Sequence, residues 1–392
     1  MNLSTLNRTA AEVAASALYE TFPAIELLGG GRTSLGFSFD FFCSAPLPSE
    51  AEVLIEEQMR QIVREKRPIR VLEMVPFSAR ELLLKEGHLS RAEELSSGDG
   101  GLVEIVQIGS FHDLSPGPHL SCTSHLGAFK LWPIEKRKDG VYRLSGCAFP
   151  SKEELKQFLK KLRDYPEKSH EKVGIKKSLW CILDSQVVWL PAGLEKRRQM
   201  IEAIRASLFE DILEVSLSAC SDRTAAHLRL AKEMGNEKIA EIYSEPSPLW
   251  DPETGLFAGA GGASIRVSLI VSNGDWKEKV ISSLQMTRKT LNILGFQHRL
   301  RLSGRKRSGK GVQALLKALE SQSLEVEMLA EEPGGPRLDY LVGDHLGRQW
   351  AAFSIELAPF GVFITASIER LVALLLEIKS CTNETVNGIE NQ

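Results

Sequence analysis

Residues 335–359 read GPRLDYLVGDHLGRQWAAFSIELAP, and residues 363–377, a few positions later, read FITASIERLVALLLE. The first segment contains apolar runs separated by a polar turn, which predicts a pair of strands. The second carries apolar residues at helical spacing, which predicts a helix over 366–378. A strand pair followed closely by a helix is typical of a sheet flanked by helices, and this end of the chain therefore predicts the α+β class.

Length and composition describe a soluble globular protein with more than one domain. The 392 residues are too many for one ordinary core, so two or three domains are expected. Hydrophobic residues make up 43% and charged residues 25% of the chain. No apolar run approaches the roughly 18 residues that a membrane helix requires, and the N-terminus lacks the basic-then-apolar order of a secretory signal. We therefore expect no membrane partner.

The cysteines indicate the cellular compartment, and the net charge limits the kinds of partner that the protein can bind. Six cysteines are scattered without a Cys-x2-Cys pair. In a chain of this size they are typical of reduced thiols, which predicts a cytoplasmic protein. The formal net charge of -3 excludes a strongly basic nucleic-acid binder as a whole, but it allows a local basic face.

Apolar spacing and polar breaks predict how the chain is organised. A first helix is predicted over 9–22, with Thr9 as its N-cap. Between 70 and 146, short strands alternate with turns and lack regular crossover helices, which favours antiparallel pairing. A charged helix over 151–164 leads into the polar stretch 165–170, the best domain boundary. The prediction is a first domain over 1–165 that includes the linker helix 151–164, a second domain over 171–379, and a disordered tail over 380–392.

Several short motifs resemble one known family in collinear order. They are GFSFDF at 36–41, FHDLSPGPH at 111–119, AFKL at 128–131, a helix and strand at 184–215, a basic loop and helix at 299–319, GPR at 335–337 and SIER at 367–370. The first three resemble the editing domain that threonyl- and alanyl-tRNA synthetases share. The others resemble the class II catalytic core of threonyl-tRNA synthetases, including motif 1 and motif 3. The resemblance implies an editing-like domain followed by a class II antiparallel sheet with flanking helices. It also implies that the family's N-terminal ubiquitin-like and C-terminal anticodon-binding domains are lacking.

The editing pocket of that family uses a His-x3-His pair on the first helix and a Cys-x3-His pair in a loop. At the matching positions this sequence has Arg8 and Glu12 on the helix and Ser115 in place of the cysteine, while His119 is kept. Asp113 also resembles an acid of the family's loop. The resemblance implies a remnant editing pocket made of His119, Asp113, Ser115 and Glu12. A retained fold with an inactive pocket is the favoured interpretation, and a rewired pocket with Glu12 as base beside His119 is the alternative.

The catalytic core has also lost residues on which the family's chemistry depends. Threonine discrimination in the family uses a zinc ion held by one cysteine and two histidines. The cysteine's segment has no counterpart here, and the histidine positions match Ser268 and Gly361. Ala258 stands where motif 2 supplies an arginine to the α-phosphate of ATP, and a methyl group cannot stabilise charge that develops on phosphate. We therefore expect no metal, no cofactor and no productive ATP binding.

Two cations of the core pocket remain. Arg337 follows the glycine-proline step and Arg370 is the motif 3 arginine, so the resemblance implies a remnant nucleotide or anion pocket made of Arg337, Arg370 and Glu369. Arg370 could equally form a buried ion pair with Glu369 that orders the helix, and we favour that structural role slightly.

Three further signals are given structural roles. Residues 304–311 depart from a phosphate-binding loop because Gly311 replaces the Ser or Thr that binds Mg²⁺, so a solvated basic turn is expected. A cluster with no standard zinc spacing is expected to bind no metal; it consists of His112, His119, Cys122 and His125. The lysines of the helix 151–164 are diluted by acids and are expected to be solvated, with contact to RNA as the alternative.

Three classes of function remain open. The favoured one is a threonyl-tRNA synthetase paralogue without aminoacylation chemistry that binds the tRNA acceptor end, a protein partner or a small ligand in a regulatory role. The alternatives are a trans-editing hydrolase of mischarged tRNA and a class II ATP-dependent ligase for another acceptor. The lost motif 2 arginine counts against the ligase. The motif 1-like helix 194–208 predicts a homodimer.

Overall fold

The computed structural model describes residues 2–95, 101–184, 186–209, 211–217, 222–244, 254–258, 262–272, 274–303, 310–328 and 336–387. The chain divides into two compact units, Met1–Lys160 (unit 1) and Lys161–Gln392 (unit 2). The division falls inside a helix, a few residues before the polar stretch 165–170. The turn at 97–100, most of the loop 245–263 and the phosphate-loop-like stretch 304–309 lie outside the described residues.

Unit 1 contains five helices, the last of which continues into unit 2, and eight strands among its described residues. In chain order they are α1 Leu3–Thr21, β1 Ile25–Arg32, β2 Phe37–Cys43, α2 Ala51–Arg64, β3 Ile69–Met74, α3 Pro76–Lys85, α4 Leu89–Glu94, β4 Val103–Ile108, β5 Phe111–Leu114, β6 Ala128–Leu131, β7 Glu135–Lys136, β8 Val141–Phe149 and α5 Lys152–Lys168. A short 3₁₀ helix, Thr123–His125, precedes β6.

Unit 1 is built on antiparallel sheets. One has the order β1-β2-β8-β6, with β7 paired to β8, and the other has the order β3-β4-β5. The alternation in β2 buries Phe37, Phe39 and Phe41 in a core shared with α1. The apolar residues at every second position of β2 therefore mark the core face of the sheet, as their spacing indicates.

The first helix begins earlier than predicted. Asn2 is the N-cap, because its side chain accepts a hydrogen bond from the Ser4 amide at 2.8 Å. Thr9 is instead buried inside the helix, where its hydroxyl donates to the Thr5 carbonyl and accepts from the Leu120 amide. The predicted start at Thr9 is wrong because α1 is buried on most of its circumference from Leu6 to Leu18, so no polar face marks its first turn.

Unit 2 consists of a large sheet with helices. Its described elements are α6 His170–Lys176, β9 Trp180–Leu183, β10 Gln186–Trp189, α7 Pro191–Leu208, β11 Leu213–Val215, α8 Arg223–Met234, β12 Lys238–Ser244, β13 Ala263–Ile270, α9 Trp276–Leu294, β14 Arg299–Ser303, α10 Lys310–Ser321, β15 Val326–Met328, β16 Arg337–Gly343, β17 Gln349–Ala358, β18 Gly361–Ser367 and α11 Ile368–Asn387. A 3₁₀ turn, Gly255–Ala258, precedes β13.

The large sheet has the order β11-β12-β13-β18-β17-β16-β14-β15. All neighbours pair antiparallel except β11 with β12 and β14 with β15, at the two edges. The predicted strand pair at 335–359 forms β16 and β17, and the fold is α+β as the sequence indicated. The last helix extends to Asn387, so the expectation of disorder from residue 380 is wrong for 380–387, and 388–392 lie outside the described residues.

The strand register produces a row of polar side chains across the sheet. Successive cross-strand neighbours form what we call the polar row: Glu241, Arg266, Thr365, Ser354, Asp339 and Arg301. Side chains at directly opposed positions share one face of a sheet. One face of the unit 2 sheet therefore carries a continuous band of hydroxyl, carboxylate and guanidinium groups, although the predicted motifs that supply them are far apart in sequence.

Candidate functional sites

The structure brings the predicted editing-type residues of unit 1 together. Glu12 projects from α1 toward this loop and lies close enough to Asp113 and Ser115 to interact with both, while its Oε2 is buried without a hydrogen-bond partner. Both carboxyl groups are almost fully buried. His119 Nε2 donates to the Ser115 carbonyl at 3.2 Å, while its Nδ1 is buried without a hydrogen-bond partner. The four predicted residues therefore lie around one loop, from β5 to His119.

The two carboxyl groups perturb each other's titration. Burial, followed by the charge of Asp113, raises the pKa of Glu12 to about 8. Burial also raises the pKa of Asp113, although Arg91 opposes that shift. Adjacent buried carboxyl groups cannot both ionise readily and share protons as a pair. At neutral pH the site therefore holds a protonated Glu12 beside Asp113, whose carboxyl group contacts the Arg91 guanidinium.

Two residues of this site were not predicted. Arg91 of α4 donates from Nε to Asp113 Oδ1 at 2.9 Å and from Nη1 to Glu94 at 2.8 Å. His88, at the start of α4, is fully buried with both ring nitrogens lacking a hydrogen-bond partner, and burial lowers its pKa. Neither lies within a motif, and only the packing of α4 near β5 reveals them.

Arg8 occupies the space beside the loop 115–119. Its Nη1 donates to the Pro116 carbonyl at 2.9 Å. Gly117 has φ of +108°, and a Cβ atom there would lie 1.4 Å from Arg8 Nη1. Only glycine therefore fits both the backbone conformation and the contact. With a cation at Arg8, a protonated Glu12 and one imidazole, the residues do not fit a zinc ion at this pocket. Among the described residues, no group of three or more His, Cys, Asp or Glu could hold a metal ion.

In unit 2, Asp339 collects the cations at one end of the polar row. It is fully buried and accepts from Arg301 Nη2 at 3.2 Å and from Arg337 Nη2 at 3.2 Å. The Ser354 hydroxyl donates to it at 2.6 Å. Arg337, predicted to contact an anion, is therefore engaged by a carboxylate of the same sheet.

Arg370 supports the segment that resembles motif 2. Its Nε donates to the Phe257 carbonyl at 2.7 Å and its Nη1 donates to the Ala351 carbonyl at 2.8 Å. The predicted ion pair with Glu369 is wrong, because Glu369 pairs with Arg197 of α7 at 2.8 Å. Consecutive residues on a helix point about 100° apart and do not face each other. Burial raises the pKa of Glu369 despite that arginine.

A cavity of about 160 Å³ lies beside Arg370. Among the described residues, its lining contains five hydroxyl side chains and one guanidinium; the residues are Tyr243, Ser264, Ile265, Ala351, Ser354, Thr365, Ala366, Ser367 and Arg370. The volume is that of a few water molecules or a small anion. Arg337 and Glu369, which were predicted to share this pocket, do not line it.

The 3₁₀ turn that carries Ala258 is tightly held. The Leu256 amide donates to His170 Nε2 at 3.1 Å, and the Phe257 ring stacks on Trp350 with 4.8 Å between centroids. His170 in turn donates from Nδ1 to the buried Glu377 at 2.8 Å. The 3₁₀ turn is therefore fixed by contacts to α6 and β17. His170 and Glu377 belong to different helices and lie outside the sequence motifs, so no sequence pattern pointed to them.

The zinc positions of the family are filled by other contacts. The Ser268 hydroxyl is buried and lies 2.7 Å from His227 Nδ1. A Cβ atom at Gly361 would lie 2.5 Å from the Leu269 carbonyl oxygen, so a histidine there requires the backbone to move. A hydroxyl committed to an imidazole and a glycine do not fit a zinc ion.

The other members of the histidine and cysteine cluster make contacts that are typical of structural residues. His112 pairs with Glu86, with 2.6 Å between Nδ1 and Oε1. His125 is exposed, and Cys122 forms a hydrogen bond with Ser124 at 3.1 Å. In the described part of the chain, every helix is too short or too polar to cross a membrane.

Comparison with known proteins agrees with the fold. The family model described as "Threonyl and Alanyl tRNA synthetase second additional domain" matches residues 103–145. The threonine–tRNA ligase of Oleidesulfovibrio alaskensis is 23% identical, with 90% of this chain and 64% of the relative aligned. That of Rubrobacter xylanophilus is 24% identical over 91% of this chain and 66% of the relative. The chain therefore spans about two thirds of the length of these curated relatives.

A shorter match and a solved structure complete the comparison. The threonine–tRNA ligase of Clostridium perfringens is 28% identical over 51% of this chain and 32% of the relative. A crystal structure of the RNA binding domain of threonyl-tRNA synthetase from Cryptosporidium parvum has a TM-score of 0.45 at 16% identity, covering 54% of this chain and 72% of that one.

The chain is therefore similar to threonine–tRNA ligases over most of its length. Within unit 1, residues 103–145 match the second additional domain of threonyl and alanyl tRNA synthetases.

Proposed function

We propose that this protein is a non-catalytic relative of threonyl-tRNA synthetases that binds the acceptor end of tRNA in a regulatory role. The observation that carries the proposal is the contact of Arg370, whose Nε donates to the Phe257 carbonyl, next in sequence to the position where Ala258 replaces the arginine that adenylation requires. A retained Arg370 beside a lost arginine supports loss of ATP-dependent chemistry with retention of the fold. Binding of a protein partner is the variant of this proposal that needs no RNA contact.

The unit 1 pocket supports a binding role on its own terms. Arg8 lies partly exposed at the loop, next to the buried Glu12 and His119. A guanidinium at a pocket rim is suited to contact phosphate oxygen. The proposal includes a cytoplasmic location and a homodimer formed through residues 194–208 of α7. Light scattering at micromolar concentration tests the dimer, and a monomer there contradicts it.

Threonine-dependent ATP–pyrophosphate exchange tests the loss of chemistry. The proposal predicts no exchange above the background without enzyme, because no cation replaces the motif 2 arginine at Ala258. An Ala258→Arg variant that also lacks exchange is consistent with the missing zinc ligands. Threonine-dependent exchange by the unmodified protein contradicts the proposal and favours the ligase.

A second candidate function rests on the raised pKa of Glu12. A buried carboxyl group that titrates near pH 8 is suited to move a proton during ester hydrolysis. The candidate is a trans-editing hydrolase that cleaves mischarged tRNA. Its rate is expected to rise through about pH 8 as Glu12 loses its proton.

Deacylation of Ser-tRNA by a set of matched variants separates the two functions. Hydrolysis that is abolished by Glu12→Gln and by His119→Ala, but retained by the exposed control His125→Ala, assigns the protein to editing. Absence of hydrolysis in the unmodified protein, together with tRNA binding, supports the binding role. The third class, a ligase for another acceptor, has no observation in its favour.

A further inference from the structure

The first turns of α8 are fastened to the sheet of unit 2 by three side-chain bridges. The Ser268 hydroxyl lies 2.7 Å from His227 Nδ1. Arg266 Nη2 donates to the Thr224 hydroxyl at 2.7 Å. Arg223 Nη1 forms an ion pair with Glu241. We call these six residues the clasp, with Arg223, Thr224 and His227 on α8 and Glu241, Arg266 and Ser268 on β12 and β13.

The centre of the clasp is sealed from solvent. His227, Glu241 and Ser268 are each fully buried. Burial, which Glu241 opposes and Arg266 reinforces, lowers the pKa of His227, so the ring is neutral at pH 7. A neutral ring accepts from the Ser268 hydroxyl at Nδ1 and directs Nε2–H toward Glu241 Oε2, 3.3 Å away. Although this proton order is that of a serine hydrolase, the buried Ser268 hydroxyl cannot reach a substrate.

Cations of the chain itself already surround the single carboxylate of the clasp. The guanidinium of Arg223 lies 4.0 Å from the centroid of the Tyr243 ring, and that of Arg266 lies 4.6 Å from the Phe363 ring. Placing a dication beside Glu241 would add charge repulsion from both arginines in a region of low dielectric constant. Serine is also a poor zinc ligand compared with cysteine or histidine.

We infer that the clasp holds α8 on the sheet without a metal ion, and that no zinc ion binds at Ser268. Unit 2 then folds without metal, and it lacks the Lewis acid that would bind the amino and hydroxyl groups of threonine. The inference concerns unit 2 alone and holds whichever function the unit 1 pocket serves.

Metal content and thermal unfolding of the full chain test the inference. Protein purified from zinc-supplemented cells is expected to contain no stoichiometric zinc by mass spectrometry. Its Tm is expected to be unchanged by EDTA, by zinc, and by L-threonine with or without zinc. Stoichiometric zinc whose removal by EDTA lowers Tm overturns the inference, and this measurement needs no variant.

Variants test whether the side-chain bridges of the clasp stabilise unit 2. Ser268→Ala removes one hydroxyl and leaves His227 Nδ1 without its donor, so Tm is expected to fall by roughly 2 to 8 °C. His227→Gln is expected to give a similar fall, and the double variant should fall about as far as either single one, because both break the same bridge. Arg229→Gln, exposed on the same helix, is the matched control and should leave Tm unchanged. If Ser268→Ala and His227→Gln unfold at the same temperature as Arg229→Gln, the clasp does not hold α8 on the sheet.

Discussion

Replacing Glu12 by glutamine should make unit 1 more stable at alkaline pH. Glutamine has the shape of the protonated carboxyl group but cannot ionise. The folded-state pKa of Glu12 is raised to about 8 by burial first and by Asp113 second. Because the folded protein binds a proton that the unfolded chain releases, the unmodified protein loses stability as pH rises between the two pKa values.

The magnitude follows from the size of the shift. The ordinary pKa of 4.5 and the folded value of about 8 define the pH window. Each pH unit inside it costs about 1.4 kcal/mol, so stability falls by roughly 3 kcal/mol between pH 6 and pH 9, with most of the loss complete near pH 8. Glu12→Gln removes this slope. The stability of the variant relative to the unmodified protein is therefore expected to increase by roughly 3 kcal/mol over that range.

Hydrogen exchange of peptides from α1, followed by mass spectrometry, reports the local opening free energy of unit 1 in the full chain. The comparison of the two proteins at each pH cancels other titrating groups. The variant Glu52→Gln, at a partly exposed position at the start of α2, is the control and should show no pH-dependent difference. A constant difference between Glu12→Gln and the unmodified protein from pH 6 to pH 9 would refute the assignment of a buried, protonated Glu12.

Three further changes test other parts of the structure. Phe257→Ala empties the space between His170 and Trp350 and should destabilise unit 2 by about 3–5 kcal/mol, measured by urea unfolding. Gly117→Ala forces a Cβ atom onto Arg8 and should cost roughly 1–3 kcal/mol, again by urea unfolding, and Arg8→Ala should relieve part of that cost. Arg197→Gln leaves Glu369 buried without its ion-pair partner and should destabilise unit 2 by about 3 kcal/mol. Because burial raises the pKa of Glu369, the variant should regain stability as the pH falls and this carboxyl group takes up a proton.

The changes at Phe257 and Gly117 each have a matched control. Met234→Ala removes an exposed side chain of unit 2 and should leave its stability unchanged. Gly87→Ala carries a positive φ but meets no atom within 4 Å, so it isolates the conformational cost from the clash with Arg8. Equal destabilisation by Gly87→Ala and Gly117→Ala would contradict a steric role for Arg8.

The sequence predicted those parts of the fold in which local pattern and tertiary role agree. The alternation of Phe37, Phe39 and Phe41 marks a strand with one buried face, and the β16–β17 pair follows from its apolar runs and polar turn. The start of α1 was missed because a helix buried on most of its surface has no polar stripe to mark its first turn.

The sites were predictable only where a motif supplied the residues. The resemblance identified four residues of the unit 1 pocket from the sequence. They are Glu12, Asp113, Ser115 and His119, and the structure places them on α1, on β5 and on the loop after β5. Arg91, His88 and His170 lie outside every motif, and tertiary packing alone brings them to the carboxyl groups they contact or surround. The polar row likewise depends on strand register across six strands, which single-strand patterns do not encode.

The partners of buried charged residues could not be predicted from the sequence. Glu369 and Arg370 are adjacent in sequence, and adjacency suggested a pair. In the structure the helix turns them apart, toward Arg197 and toward backbone carbonyls. Partner choice for buried charges is set by three-dimensional packing, so sequence proximity alone is a poor guide to it.

Binding of the purified protein to threonine-specific tRNA across a salt series tests the central claim most directly. We expect the protein to bind this tRNA at low salt and to bind it more weakly as the salt concentration rises. We expect no threonylation and no deacylation in parallel reactions. Absence of binding at low salt would contradict the claim that this scaffold serves tRNA and would direct attention to a protein partner.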